Sequence, residues 1–446
     1  MAKSFFGTDG IRGTVNTEDL NSEIALKLGI AAGKVFTRGQ YKHRVLIGKD
    51  TRLSGYMLES ALESGFTSSG MNVFLTGPIP TPAIAHLTKA LRADLGVMIT
   101  ASHNTYEDNG FKLFGPNGLK LTDEQQSEIN DLMNRSDIMS LQNNKQIGSA
   151  KRVDDALSRY VEFAKASFPN SMRLDNIKIV LDCANGAAYK AAPMIFWELG
   201  ADIIVIGDQP NGRNINEDCG STKTKKLRAE VLNNNADLGI AFDGDGDRLV
   251  LVDELGKEIE GEYLIAMIAF YLKEKNLLKS NKVISTVMAN LSLEKYFESI
   301  GIELIRTNVG DRYVFEEMTK TGSNFGGEPS GHLIINDFST TGDAIISSLQ
   351  VLSAMIEKNK PISELTNLFT LTKQINHEIK IGKKNISNKT LEDLSLKMRE
   401  KIGSEGRLII RKSGTEPLIR IMVETDNHEL GNKLINEIKS SLDFLS

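Results

Sequence analysis

Short apolar runs of four to six residues punctuate the chain, and three of them open the same longer pattern. Val45-Leu46-Ile47-Gly48, Ile177-Lys178-Ile179-Val180-Leu181-Asp182 and Val283-Ile284-Ser285-Thr286-Val287 read as β-strands. Each leads through a turn-rich loop (Lys49–Arg52, Cys183–Gly186, Met288–Asn290) into a helical stretch that stops at a glycine: Gly70, Gly200 or Gly301. Glycine is the usual residue just past a helix C-terminus. A second β-rich run follows each time, at Met71–Leu75, Ala201–Ile206 and Ile302–Thr307. Strand, helix, strand at this spacing predicts a βαβ unit with a right-handed crossover.

The register persists beyond the crossover. Ala93-Asp94-Leu95-Gly96-Val97-Met98-Ile99 matches Ala236-Asp237-Leu238-Gly239-Ile240-Ala241-Phe242. The first runs into the loop Thr100–Asn104 and the second into Asp243–Arg248; the third unit has Gly326–His332 at the corresponding place. Loops at the C-terminal ends of strands are where open α/β sheets carry function. From about residue 367 the pattern changes. Arg407–Ile410 and Leu418–Val423 flank a polar turn, Arg411–Pro417, and a helical tail begins near His428. The expected fold class is therefore α/β, with three similar mixed-sheet α/β domains and a smaller C-terminal α+β domain. The polar stretch Leu141–Arg152 and the region Thr366–Lys373 mark boundaries, dividing the chain into 1–150, 151–252, 253–366 and 367–446.

Composition narrows the function class. The 446 residues predict about three or four domains at roughly 100–200 residues each. A net charge of -5 argues against a nucleic-acid partner. The two cysteines, Cys183 and Cys219, imply neither a disulfide framework nor a thiolate zinc site. The start, Met1–Gly13, has no apolar signal core, and no run reaches membrane-spanning length. A cytoplasmic protein without a membrane partner is expected, and the sequence leaves a homodimer open.

The chemistry concentrates in the loops. Asp243-Gly244-Asp245-Gly246-Asp247-Arg248 places a carboxylate at every second residue of a glycine-bent loop, a set of hard oxygens suited to Mg²⁺. Asp243, Asp245, Asp247 and Glu254 also fall at positions 1, 3, 5 and 12 of a calcium-binding EF-hand. Arg248 stands where that hand needs glycine, and the flanks read as strands, so Mg²⁺ is favoured. Ser102, in Thr-Ala-Ser-His-Asn, needs an activating base, a metal or a phosphoryl group already in place before it can act as a nucleophile. A phosphoserine would supply the oxygen that three Asp ligands leave wanting.

Four motifs in order, Thr100–Asn104, Asp243–Arg248, Gly327-Glu328-Pro329-Ser330-Gly331-His332 and Arg411-Lys412-Ser413-Gly414-Thr415-Glu416-Pro417, resemble the signature loops of the α-D-phosphohexomutases along essentially the whole chain. Phe6-Gly7-Thr8-Asp9-Gly10-Ile11-Arg12-Gly13 is similar to the branch of that family acting on an amino-sugar phosphate. The resemblance implies four domains around a central cleft, with one loop from each. It implies a phosphorylated Ser102, and one Mg²⁺ held by Asp243, Asp245, Asp247 and that phosphate. It implies interconversion of glucosamine 6-phosphate and glucosamine 1-phosphate through a bisphosphorylated intermediate, with a sugar 1,6-bisphosphate as primer. The product would feed UDP-N-acetylglucosamine and cell-wall precursors. Glu328, Ser330 and His332 would select the sugar, although Pro329 replaces the glutamine usual in this branch. Arg411, Ser413, Gly414, Thr415 and Arg420 would grip the non-reacting phosphate. Lys112 is favoured for acid–base work. His103, Arg12, Arg52 and Arg248 are further cationic candidates, with Arg12 and Arg248 better suited to neutralising phosphate because arginine holds its proton.

The alternatives are a phosphomannomutase or phosphoglucomutase with the same machinery, a phosphate hydrolase, and a non-catalytic calcium-binding protein. Elsewhere, Trp197 is expected in the core beside Ala191, Ala192, Ile195, Phe196 and Leu199. The basic run Lys223, Lys225, Lys226 and Arg228 is read as a solvated helix face.

Overall fold

The structure is a computed structural model and describes residues 3–7, 9–140, 147–380, 387–403, 406–412 and 418–444. The chain forms two compact units. One comprises residues 1–288 and 304–367; the other comprises 289–303 and 368–446.

Three mixed sheets make up the first unit. The first contains β1 (Ile11–Thr14), β2 (Arg44–Lys49), β3 (Asn72–Pro78), β4 (Leu95–Ile99), β5 (Asp108–Phe114) and β6 (Ala150–Arg152), in the order β1-β5-β4-β2-β3-β6. The second contains β7 (Lys178–Asp182), β8 (Asp202–Ile206), β9 (Leu238–Phe242), β10 (Leu249–Asp253) and β11 (Glu258–Ile259), ordered β11-β10-β9-β7-β8. The third contains β12 (Lys282–Thr286), β13 (Glu303–Thr307), β14 (Phe325–Gly327) and β15 (Leu333–Ile335), ordered β13-β12-β14-β15.

The repeat read from the sequence is a repeat of topology. In each sheet the opening strand (β2, β7, β12) lies between its crossover partner (β3, β8, β13) and a parallel third strand (β4, β9, β14). The third strand then turns back into an antiparallel neighbour (β5, β10, β15). The buried runs Val45-Leu46-Ile47 and Ile179-Val180-Leu181 are apolar on both faces because helices cover both sides. Each of the three candidate loops is the connection from a third strand to its antiparallel partner.

The crossover helices Ser54–Ser68, Ala191–Glu198 and Leu291–Ser299 end in the same way. Gly70, Gly200 and Gly301 take φ of +95°, +103° and +67°. The following N–H in each case reaches back to a helical carbonyl, Met71 to Phe66 at 3.0 Å, Ala201 to Phe196 at 3.0 Å and Ile302 to Phe297 at 2.8 Å. This is the bonding pattern of a Schellman stop, and it sets the chain direction into the next strand.

One sequence expectation changes. Trp197 is 69% exposed rather than core. Its helix buries Ala191, Ala192, Ile195 and Phe196, and Trp197 falls on the opposite side; a short helix that is apolar nearly all round does not announce its buried face. The polar segment before Arg152, read as a boundary, ends in β6, which pairs in parallel with β3 at the sheet edge; its residues 141–146 lie outside the described residues. The basic run is exposed as expected.

The second unit is a three-stranded antiparallel sheet of β16 (Gln374–Lys380), β17 (Gly406–Lys412) and β18 (Leu418–Thr425), ordered β16-β18-β17. Helices Asn388–Ile402 and His428–Phe444 join it in a core that includes Leu391, Met398, Ile419, Ile421, Leu434 and Ile438. Residues 289–303 pack here. Asn290 Nδ2 donates to the Thr372 carbonyl at 3.0 Å, and Arg407 Nη2 donates to the Ala289 carbonyl at 2.8 Å.

At Gly200 a Cβ would come within 2.4 Å of Asp175 Oδ1, on top of the strained φ. Gly200→Ala is expected to destabilise the protein by about 1–2 kcal/mol. The readout is a lower urea midpoint for its unfolding transition with an unchanged slope. An unchanged midpoint would remove the argument that this stop is conformationally required.

Candidate active site

Backbone contacts from several elements hold the acidic loop after β9. The Asp245 carbonyl accepts the N–H of Thr81 at 2.8 Å, and the Gly246 carbonyl that of Ala344 at 3.2 Å. Leu249, at the loop's end, donates its N–H to the Gly331 carbonyl at 3.0 Å. So fixed, Asp243, Asp245 and Asp247 are buried at 0%, 0% and 2% exposure, with one oxygen of each lying within 4.8 Å of the others. Asp245 Oδ1 and Asp247 Oδ1 have no hydrogen-bond partner. Convergent buried carboxylates with orphan oxygens fit a hard divalent cation. The EF-hand reading fails on geometry: the flanks are β9 and β10, and Glu254 turns away to bond Ser363.

Burial, reinforced by the charges of Asp245 and Asp247, pushes the Asp243 carboxyl well above the usual carboxylate range. For Asp247 burial acts the same way, but Lys112, His332 and Arg248 outweigh it and hold the carboxyl well below that range.

Ser102 meets this loop directly. Its hydroxyl donates to Asp243 Oδ2 at 2.7 Å, and the residue is 1% exposed. Its φ is +52°, a left-handed conformation rarely taken by serine. Such strain clusters at functional sites. His103 Nδ1 lies 3.3 Å from the same hydroxyl. Burial and then Arg248 and Arg12 lower the His103 pKa to about 4, so the ring is neutral at neutral pH.

The antiparallel pairing of β1 with β5 sets Arg12 opposite Gly110 and brings the Phe6–Gly13 segment alongside Lys112; Thr8 of that segment lies outside the described residues. Lys112 Nζ donates to Asp245 Oδ2 at 2.8 Å and to Asp247 Oδ2 at 2.6 Å, and lies 3.5 Å from Asp9 Oδ2. Burial alone would favour the neutral amine. Asp245, Asp247 and Asp9 reverse this and hold Lys112 well above the ordinary lysine range. Asp9 also bonds Lys120, which pairs with Asp311 at 2.5 Å. Asp311 lies 3.3 Å from His332 Nε2, and His332 Nδ1 lies 3.7 Å from Asp247 Oδ1. The ion pairs run Lys112–Asp9–Lys120–Asp311 and place His332 beside both Asp311 and Asp247, so residues of all three sheets' domains meet here. Arg12 pairs with Asp9 at 3.1 Å.

The third loop folds as a β-turn. The Gly331 N–H donates to the Glu328 carbonyl at 3.0 Å, which puts Pro329 at the second turn position, where its fixed φ fits and no N–H is needed. Its departure from the usual glutamine therefore costs the backbone nothing. His332 faces inward: it is 3% exposed, and Nε2 accepts the Gly342 N–H at 3.0 Å, which directs its Nδ1 hydrogen toward Asp247. Ser330 is exposed. Glu328 is half-buried, and burial raises its carboxyl pKa although Gly310 donates its N–H at 3.2 Å. Arg248, half-buried, has an orphan Nε, and Asp247, Asp243 and Glu328 keep its guanidinium charged against burial.

In the second unit, Arg411 and Arg420 lie directly opposite each other on β17 and β18. Burial, then the charge of Arg420, lowers the Arg411 pKa. Ser413, Gly414 and Thr415 lie outside the described residues. Arg52 is no phosphate ligand: it is 0% exposed and its guanidinium is bonded to protein oxygens. Asp9, Lys120, Asp311 and Thr81, whose hydroxyl bonds Asp245, were not picked out from sequence. Only Asp9 carried a signal, its place between Gly7 and Gly10 in a glycine-rich start.

Comparison with known proteins agrees along the whole chain. Family models described as phosphoglucomutase/phosphomannomutase match in order: alpha/beta/alpha domain I over residues 3–138, domain II over 158–256, domain III over 260–372 and the C-terminal domain over 371–441. A phosphoglucosamine mutase of Parvibaculum lavamentivorans is 51% identical over 444 residues, covering 99% of each chain. One of Maricaulis maris is 50% identical over 448 residues, covering 100% of each. Among solved structures, a phosphoglucomutase/phosphomannomutase family protein of Burkholderia thailandensis shares the fold with a TM-score of 0.84 at 23% identity, covering 100% of this chain and 98% of that one. An N-acetylphosphoglucosamine mutase of Aspergillus fumigatus, solved with GlcNAc-6P and magnesium, shares it with a TM-score of 0.68 at 18% identity, covering 99% and 95%. Matched in four consecutive domains and half-identical to full-length relatives, the chain belongs to the phosphoglucomutase/phosphomannomutase family.

Proposed function

We propose that this enzyme interconverts glucosamine 6-phosphate and glucosamine 1-phosphate. The observation that carries the reaction type is Ser102, strained at φ +52° and bonded at 2.7 Å to a carboxylate of a buried acidic triad. The amino-sugar substrate rests on the full-length relatives named phosphoglucosamine mutase. The phosphoryl group of phosphorylated Ser102 passes to the C1 hydroxyl of glucosamine 6-phosphate, giving the 1,6-bisphosphate. The intermediate turns around, and its 6-phosphoryl group returns to Ser102, releasing the 1-phosphate. No phosphate is consumed, and a sugar 1,6-bisphosphate primes the enzyme.

Asp243, Asp245 and Asp247, with the phosphate on Ser102, would hold one Mg²⁺. The ion would supply charge stabilisation for the transferring group. Arg12 and Arg248 neutralise phosphate. Lys112, kept protonated by Asp245, Asp247 and Asp9, serves as the acid toward the departing oxygen, while neutral His103 packs beside the Ser102 hydroxyl as the second candidate. Glu328 and Ser330 face the sugar, with His332 supporting them from behind. Arg411 and Arg420 face each other directly across two strands, with Arg420 also paired to Glu378 at 3.1 Å, and a phosphate dianion would supply a counter-charge to both. With Ser413, Gly414 and Thr415 they grip the non-reacting phosphate.

A coupled assay with Mg²⁺ and a bisphosphate primer tests the reading on the 6-phosphates of glucosamine, glucose and mannose. Preference for the glucosamine ester is expected, together with loss of activity to background in Ser102→Ala. Preference for glucose or mannose would instead mark a phosphoglucomutase or phosphomannomutase, and full activity in the variant would sink the phosphoserine route. Lys112→Met should lower kcat by about 10²–10⁴-fold, the usual worth of a general acid or base. His103→Ala should cost much less. The reverse ranking would move the proton role to His103.

Metal binding has a readout apart from turnover. Burial and its acidic neighbours raise the Asp243 carboxyl, so protonation there competes with cation binding. Calorimetry on the dephosphorylated protein should show Mg²⁺ affinity rising with pH, and Asp245→Ala should abolish binding. A pH-independent affinity would contradict a raised Asp243 carboxyl at the metal site.

A further inference from the structure

A second set of contacts holds the serine loop from behind. The Arg52 guanidinium bonds Asp50 Oδ2 through Nε at 2.8 Å. Its Nη2 donates to the carbonyl of Ser102 at 3.0 Å and to that of Asn104 at 2.9 Å. Asn216 lies 164 residues further along the chain than Arg52, between β8 and β9. Its Nδ2 donates to the same two carbonyls, Ser102 at 2.9 Å and Asn104 at 2.8 Å. Asn216 is itself buried, takes φ +57°, and anchors its N–H on the Ala184 carbonyl at 2.9 Å. Gly244 of the acidic loop closes over this junction. A Cβ there would come within 2.5 Å of the Ser102 carbonyl oxygen and 2.8 Å of Asn216 Nδ2, so only glycine lets the three segments meet.

Each carbonyl has two lone pairs, and here each accepts one hydrogen bond from Arg52 and one from Asn216. We propose that Asn216, with Arg52, is a positioning residue that clamps the Ser102 and Asn104 carbonyls and holds Ser102 in its left-handed conformation. The kinetic part rests on the mutase reading above; the clamp itself stands on geometry. The need is physical. The conformation costs about 1–2 kcal/mol, so an unclamped loop relaxes toward ordinary backbone. Phosphorylation also adds about -1.5 to -2 charges beside three carboxylates, and the repulsion pushes the loop outward. The clamp resists both, and because Asn216 belongs to the second sheet's domain, it fixes the nucleophile relative to the acidic loop of that domain.

The test compares Asn216→Ala with Asn214→Ala. Asn214 organises the same connection through Gln209 and Asn211 but makes no hydrogen bond to the serine loop. Hydrogen exchange of residues 100–108, read by mass spectrometry without substrate, should quicken in Asn216→Ala and stay at the wild-type rate in Asn214→Ala. In steady state, Asn216→Ala should lose about tenfold to a hundredfold in kcat, the scale of a misplaced reacting group, with KM unchanged. Unchanged exchange in Asn216→Ala, or an equal kcat loss in Asn214→Ala, would overturn the clamp. A wild-type protein inactive on every hexose phosphate would instead sink the mutase reading, and the exchange comparison would still judge the clamp.

Discussion

Three carboxylates buried within 4.8 Å of one another set the terms for the rest of this site. Two unit charges 4 Å apart interact by about 4 kcal/mol at an effective dielectric of 20, so the triad cannot stay ionised without cations. Part of the answer is covalent to the chain: Lys112 reaches two of the three aspartates. The third, Asp243, is the one whose carboxyl is pushed well above the usual carboxylate range. Lys112, buried in turn, needs more than those two partners, and Asp9 is the next. The demand passes to Lys120 and Asp311, beside which His332 lies. Charge balance around one ion site thereby ties residues of the three repeated domains together, alongside the backbone bonds that hold the acidic loop.

The sequence made the repeat legible because each unit writes it in local signals. An apolar run, a glycine stop and a second apolar run need no tertiary knowledge, and the three Schellman stops bear the reading out. The loops were legible for the same reason: carboxylates at every second residue can converge only if the chain bends between them, and glycine stands at each bend. What was missed depends on partners distant in sequence. Nothing local marks Lys120 as the partner of Asp9, or Asn216 as a donor to Ser102, because the donors and acceptors lie 111 and 114 residues apart. Trp197 failed for a different reason. Its helix is apolar nearly all round, so periodicity could not choose a face, and the face lined by small Ala191 and Ala192 is the one buried. Arg52 was correctly judged to be near the site but misread in role, since only burial separates a guanidinium that meets substrate from one spent on carbonyls.

In the proposed reaction sugar selection falls to the third loop. His332 is turned inward, with Nε2 accepting the Gly342 N–H and Nδ1 toward Asp247. The β-turn at Pro329 leaves Ser330 exposed and Glu328 half-buried. Burial raises the Glu328 carboxyl pKa, and Arg248, shared with two aspartates, offsets that only in part. A ligand that brings its own positive charge favours the carboxylate form of Glu328, whereas a neutral hydroxyl at the same place leaves the burial penalty standing. In the proposed reaction the C2 ammonium of glucosamine is that charge, and glucose and mannose phosphates lack it. On the proposed reading, the discrimination between an amino sugar and its hydroxyl analogues lies in the carboxylate and not in the proline beside it.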